Sequence, residues 1–238
     1  MSRLLWPLYF VASLVVSYLI FKQLPPFLQE GGPLVALLIW MLILVTTFVV
    51  ERVISLRRAQ GKSPLPVFLT SIKRHLRDGD VQAAIDACGK QGGSAAAVMQ
   101  AGLHRFQSAK ADGLPKDKII TETQEAIEEA NGLERPLLER NLVALSTIAS
   151  IATMVGLLGT TVGMIRSFAA LGHSGAVDAT KLAVGISEAL VNTAGGLLCA
   201  IVGIVAYNVF TTKVDNFAYM IDEASFEAVQ FLSTRAND

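Results

Sequence analysis

The sequence predicts an all-α membrane protein with four transmembrane helices, the last two extended into a cytoplasmic helical bundle. Three observations predict it. The chain is apolar and poorly charged: 52% of its 238 residues are hydrophobic and 17% are charged, with a mean hydropathy of +0.49. An average soluble domain carries roughly 25% charge. The charges are segregated, with 14 of the 20 basic and 12 of the 20 acidic residues between Glu51 and Leu142. Outside that insert, residues 4–21, 33–50, 143–165 and 182–210 are nearly charge-free, and a membrane-crossing helix needs about 17–25 apolar residues. The net charge of zero speaks against a nucleic-acid-binding chain.

Residues 1–32 read as an extra N-terminal transmembrane helix and an outer loop. No Ala-x-Ala pattern follows residues 4–21; Lys22, Gln23 and Pro25-Pro26 do, which predicts a retained anchor rather than a signal peptide. Residues 33–51 form transmembrane helix 2. It ends at Glu51-Arg52, with Arg57, Arg58 and Lys62 just beyond. A basic cluster beside a membrane exit marks the cytoplasmic side, so residues 52–142 are a cytoplasmic helical domain. Parity then puts both termini in the cytoplasm, in keeping with Arg3.

Within the insert, Pro64-Leu65-Pro66 opens a helix reaching about Leu76, and Asp78-Gly79-Asp80 supplies a turn and cap. Ser94 reads as the N-cap of a helix to Ala109, and Asp112-Gly113-Leu114-Pro115 breaks the chain. A long helix starts at Lys116, and Pro136 should kink it or start a new one. Glu122, Glu125, Glu128 and Glu129 read as a solvated face. Residues 143–171 form transmembrane helix 3, residues 172–181 an outer loop, and residues 182–210 transmembrane helix 4. As a helix, the last is about 43 Å long, against a hydrocarbon core of about 30 Å. It therefore runs on into the cytoplasm, where residues 211–238 form a C-terminal helix with Phe217, Met220, Ile221, Ala224, Ala228 and Phe231 at helical spacing.

The sequence carries no catalytic, metal or cofactor motif, so neither an enzyme nor a cofactor-binding protein is expected. Cys88 lies in the insert and Cys199 in a span, so they are not expected to pair. His75, His104 and His173 lack metal-ligand spacing. Residues 156–161 lack the lysine of a phosphate-binding loop. The informative residue is Glu188, the one ionisable group inside the fourth span. A carboxylate at the bilayer centre costs about 2.5–3.5 kcal/mol on insertion scales, and such residues mark functional sites. Counted from Thr180, Glu188 falls about 12 Å along the helix, near the midplane.

On the helix surface Gly185, Glu188, Asn192, Gly195, Gly196, Cys199 and Gly203 share a side, with Thr193 on its shoulder. The third span has a matching stripe of Ala149, Ala152, Thr153, Gly156, Gly159, Thr160, Gly163 and Ser167. Small residues let membrane helices approach closely, and packing is the expected role of Gly156, Gly159, Gly163, Gly185 and Gly196. Thr160 and Thr193 suit a cavity lining, because a nearby acid needs partners that both donate and accept. Arg166, near the outer end of the third span, is expected to snorkel to the interface.

Gly156-Leu-Leu-Gly-Thr-Thr-Val-Gly163, Gly185-Ile-Ser-Glu-Ala-Leu190, Asn192-Thr-Ala194 and Tyr207-Asn208 resemble the ExbB/TolQ/MotA proton-channel family, ExbB first and TolQ second. The resemblance covers Pro33 to about Phe231. It implies a pentamer around a central pore in the Gram-negative inner membrane. A dimer of ExbD- or TolR-like subunits would place membrane helices bearing an aspartate in that pore. It also implies a motor that spends proton motive force on a TonB- or TolA-like protein. Carried over by motif, the family's pore glutamate falls on Glu188 and its pore threonines on Thr160 and Thr193. Glu188 argues against the MotA branch. Thr153 and Val202 stand where the pattern often has proline, and residues 4–21 are an extra helix. A TolQ-type role in envelope integrity and a non-conducting membrane scaffold stay open as alternatives.

Overall fold

The structure, a computed structural model, describes residues 5–172 and 179–235. Arg3, His173 and most of the expected outer loop at 172–181 lie outside the described residues. The described residues form only helices: α1 (Leu5–Gln23), α2 (Pro26–Gln29), α3 (Pro33–Gln60), α4 (Leu65–Asp78), α5 (Val81–Gln91), α6 (Ser94–Ala111), α7 (Lys116–Glu139), α8 (Leu142–Gly172) and α9 (Ala179–Arg235). Three of them, α3, α8 and α9, contain stretches long and apolar enough to cross a membrane by length and composition; Tyr9–Gln23 in α1 is a shorter apolar stretch.

Local chemistry sets most boundaries. Pro26 and Pro33 open α2 and α3, where a missing N–H costs nothing. Gly79 ends α4 in the left-handed region at φ 82°, and Asp80 Oδ1 then accepts from Ala83 N at 2.8 Å to cap α5. Two expectations need correction. Ser94 is not the cap of α6 but its first residue; Gly93 holds the cap position with no side-chain hydrogen bond. Pro136 does not start a new helix: α7 continues through it to Glu139. The break falls at Asn141, a residue type that tolerates left-handed φ, here 62°. Its Nδ2 donates to Glu51 Oε2 at 3.2 Å.

The chain divides into two compact units, and α3 and α9 each contribute to both. The first holds residues 1–51 and 141–209. Along α8 and α9 its packing is inverted relative to a water-soluble core, whereas α3 buries Leu38, Met41, Leu44, Val45 and Phe48. Ala149, Ala152, Gly156 and Gly159 on α8, and Gly185, Gly196 and Ala200 on α9, are buried, whereas Met154, Leu157, Ile165, Leu190 and Ile201 are exposed. α1 follows the same rule: Ser13 and Ser17 are buried, Val11, Leu14, Val15 and Leu19 are exposed, and Trp40 Nε1 donates to Ser13 Oγ at 2.9 Å. Small and hydroxylated residues inside, with large apolar ones outside, is the pattern of helices packed in lipid.

The second unit holds residues 52–140 and 210–238 and packs the ordinary way. Phe68, Ile72 and Leu76 of α4, Val98, Leu103 and Phe106 of α6, and Val214, Ile221 and Leu232 of α9 are buried. Ion pairs Lys73–Glu227 and Arg105–Glu122 lie around this core. The acidic run on α7 is therefore not uniformly solvated: Glu125, Glu128 and Glu129 are exposed, but Glu122 is half-buried against Arg105.

Candidate functional site

The site grows from the α8–α9 contact. A Cβ placed on Gly163 would sit 2.6 Å from the Gly185 carbonyl oxygen, and one on Gly196 would sit 2.7 Å from the Ala152 oxygen. One on Gly156 would lie 3.2 Å from Gly196 Cα; one on Gly159 would run into Asn192, and one on Gly185 into Ser167 Oγ. Gly156, Gly163, Gly185 and Gly196 thus lie where backbones meet, and Gly159 makes room for the Asn192 side chain, so small residues keep the two helices close.

Close approach puts polar groups of the two helices within reach. Arg166 Nη1 lies 2.5 Å from Glu188 Oε1. The guanidinium, expected from the sequence to snorkel to the interface, pairs with the carboxylate and stays half open. Charge attraction grows as the surroundings lose polarity, and Glu188 is only 5% exposed in its side chain while Arg166 is 56% exposed. Gly32, at φ +70°, lays its backbone against the pair: a Cβ there would be 3.1 Å from Glu188 Oε1 and 3.7 Å from Arg166 Nη1. The Gly31 carbonyl accepts from Asn192 Nδ2 at 2.8 Å, and the same nitrogen donates to the Glu188 carbonyl at 3.0 Å. Asn192 is fully buried, and its Oδ1 has no donor among the described residues.

Glu188 therefore lies beside Gly32, the residue that precedes α3. Counting along α9 alone misses this, because α8 and α9 run on past the first residue of α3 by about two turns.

The threonines sit apart from this pair. Thr193 is half-buried and donates to the Ala189 oxygen at 3.2 Å and across the contact to the Gly156 oxygen at 3.4 Å. Thr160 is half-buried, with its hydroxyl on the Leu157 oxygen at 2.6 Å. Among the described residues no hydrogen bond joins Thr160, Thr193 and Glu188. Residue-by-residue reading misses Arg166 as the partner of Glu188 and the role of Gly31-Gly32; the one available signal is that both charges sit in otherwise neutral runs. Cys88 and Cys199 are free and buried, and no group of three His, Cys, Asp or Glu side chains suited to a metal occurs among the described residues.

Residues 92–223, more than half of the chain, match the MotA/TolQ/ExbB proton channel family. This stretch contains Thr160, Arg166, Glu188 and Thr193 and excludes α1 to α5. Over 92 residues, 38% of this chain and 44% of the relative, it is 44% identical to the biopolymer transport protein ExbB-like 3 of Synechocystis. It is 39% identical to the Tol-Pal system protein TolQ of Haemophilus influenzae over 45% of this chain and 49% of that one. It is 32% identical to the biopolymer transport protein ExbB of Salmonella typhimurium over 50% of each. The match thus spans about half the length of these relatives, which are transport and channel-family proteins. With a family match over most of α8 and α9 and an acid buried on their contact face, the chain belongs to the MotA/TolQ/ExbB proton channel family.

Proposed function

We propose that this chain is the proton-channel subunit of an inner-membrane motor that uses proton motive force to energise a TonB-like protein for outer-membrane transport. The observation that carries the reading is Glu188, a carboxylate buried on the α8–α9 face and held by Arg166. Each proton crossing 100 mV releases about 2.3 kcal/mol, and a group that takes up and returns a proton is what couples that release to movement. Arg166 is half in the open, so its guanidinium can leave the carboxylate and free Oε1 for a proton. Asn192 Oδ1, buried without a donor, offers an acceptor beside it for a water molecule. Thr160 and Thr193 line the pore in this reading, and five subunits enclose ExbD- or TolR-like helices.

The proposed orientation is multi-pass with both termini cytoplasmic, in a Gram-negative inner membrane. Arg57, Arg58 and Lys62 after the apolar run of α3 support it. α1 is the fourth crossing, supported by its serine face on Trp40 and its apolar outer face. Residues 52–142 and 211–238 are then cytoplasmic, and 172–181 faces outward.

The test is proton flux into proteoliposomes holding the complex, with Glu188→Ala and Glu188→Gln. Both variants should lose most of the flux; wild-type flux in both removes Glu188 from the mechanism. Thr160→Ala and Thr193→Ala should lower flux while leaving assembly intact. An intact complex with no flux under an imposed potential favours a non-conducting scaffold. A TolQ-type role is the second reading, supported by the 39% identity to TolQ. Co-purification with a TolA-like rather than a TonB-like protein selects it.

A further inference from the structure

Past its apolar run, α3 ends at a shallow pocket of about 510 Å³ lined by Ile54, Arg57, Arg58, Lys62 and the glycines of two turns. Its floor is fixed. Gln91 Nε2 donates to the Gln60 and Ser63 carbonyls at 2.9 and 2.8 Å, and its Oε1 accepts from Ser63 N at 3.1 Å. Gly61, Gly92 and Gly93 all have positive φ. A Cβ on Gly61 would lie 2.7 Å from the Gln91 oxygen, while one on Gly92 would meet nothing within 4 Å, so the mouth stays open there.

The charge is one-sided. Arg57, Arg58 and Lys62 are exposed, no acidic residue lines the pocket, and none of the three forms an ion pair among the described residues. Other bases of the same unit, Lys73, Arg105 and Arg135, are paired. α3 and α5 also end here, but the carbonyls of Gln60, Cys88 and Gln91 already accept hydrogen bonds, which blunts their negative pull. Depth agrees. Arg57 is seven residues past Val50, about 10 Å along the helix, and the headgroup layer is roughly 5–8 Å thick on each side. An arginine reaches back across that difference.

We infer that this pocket binds the phosphate of an anionic phospholipid in the inner leaflet, held by Arg57, Arg58 and Lys62 with an acyl chain lying on Ile54. Basic pockets at the cytoplasmic ends of membrane helices take such headgroups. The inference rests on the orientation proposed above and not on proton conduction.

Native mass spectrometry of the full chain, with dioleoyl-phosphatidylglycerol and dioleoyl-phosphatidylcholine as probes, tests it. The wild type retains the anionic lipid and loses the neutral one. Arg57→Gln/Arg58→Gln/Lys62→Gln binds the anionic lipid on the order of 100-fold more weakly, and single changes about fivefold. The charge-conserving Arg57→Lys/Arg58→Lys/Lys62→Arg stays within a few-fold of wild type, which separates loss of charge from loss of fold. Equal retention of both lipids, or unchanged binding in the single and triple glutamine variants, overturns the inference. Displacement of the lipid by an equal concentration of inorganic phosphate overturns the lipid as the source and leaves a soluble anion.

Discussion

Arg166 and Glu188 form an ion pair between α8 and α9 with one member nearly sealed and the other half open, 5% against 56% exposed. Removing the open member strands the sealed one. Breaking a fully buried pair costs about 3–5 kcal/mol. With Arg166 half solvated the discounted cost is about 1–3 kcal/mol. Arg166→Gln should lower the denaturation midpoint of the detergent-solubilised protein accordingly. Arg166→Gln/Glu188→Gln should recover at least half of the loss, because no charge is left behind. An identical loss in both would detach the pair from stability.

Gly163 and Gly132 make opposite predictions. Gly163→Ala places a methyl 2.6 Å from a backbone oxygen that cannot move without its helix. It should cost about 1–3 kcal/mol, the usual range for overpacking. Gly132, inside α7, has nothing within 4 Å of a Cβ. Gly132→Ala should stabilise by about 0.5–1 kcal/mol through the unfolded chain's lost freedom. Thermal melts of the two variants side by side check both signs.

Arg52 is fully buried, and its Nη1 donates to the Leu138 carbonyl at 3.2 Å. That oxygen belongs to the last turn of α7, which has no amide one turn on to satisfy it. Arg52→Met keeps much of the volume and removes the donor. A loss of about 1–3 kcal/mol is expected for the unpaired oxygen, read from urea unfolding followed by circular dichroism.

Burial pushes the Cys88 thiol up from its ordinary 9.0 to about 12. Only the thiolate is nucleophilic, so in a Cys199→Ser background Cys88 should alkylate about 1,000-fold more slowly at pH 8 than an unburied thiol. The folded state holds its proton more tightly than the unfolded one. The resulting stabilisation is therefore complete below pH 9 and is lost as pH rises toward 12. Cys88→Ala should remove that part of the pH dependence; an unchanged profile would dissociate it from this thiol.

The stripes on α8 and α9 were legible because small residues recur at the helical period, and periodicity is a property of one helix at a time. The Arg166–Glu188 pair was not legible, because it depends on the vertical register of two helices, which neither period encodes. The same applies to Asn192 and Gly31, 161 residues apart. The approach of Gly32 to Glu188 is hidden for a related reason: distance along α9 says nothing of where α3 begins. In the insert, Asp80 could be read as a cap because its side chain acts within three residues. The break at Asn141 instead of Pro136 needed the contact to Glu51 from 90 residues away.

Gln91 also has a consequence in time. By tying Gln60 and Ser63 to itself, it latches the α4–α5 hairpin within a loop of about 30 residues. A loop closes in well under a millisecond, whereas synthesis proceeds at about 5–20 residues per second. The latch can therefore set as soon as Gly93 clears the ribosome. Phe210, Val214, Phe217 and Ile221, which cover the core of the second unit, emerge some ten seconds later. During that interval the core residues that α9 covers in the second unit have no partner helix, and they stay open until it arrives.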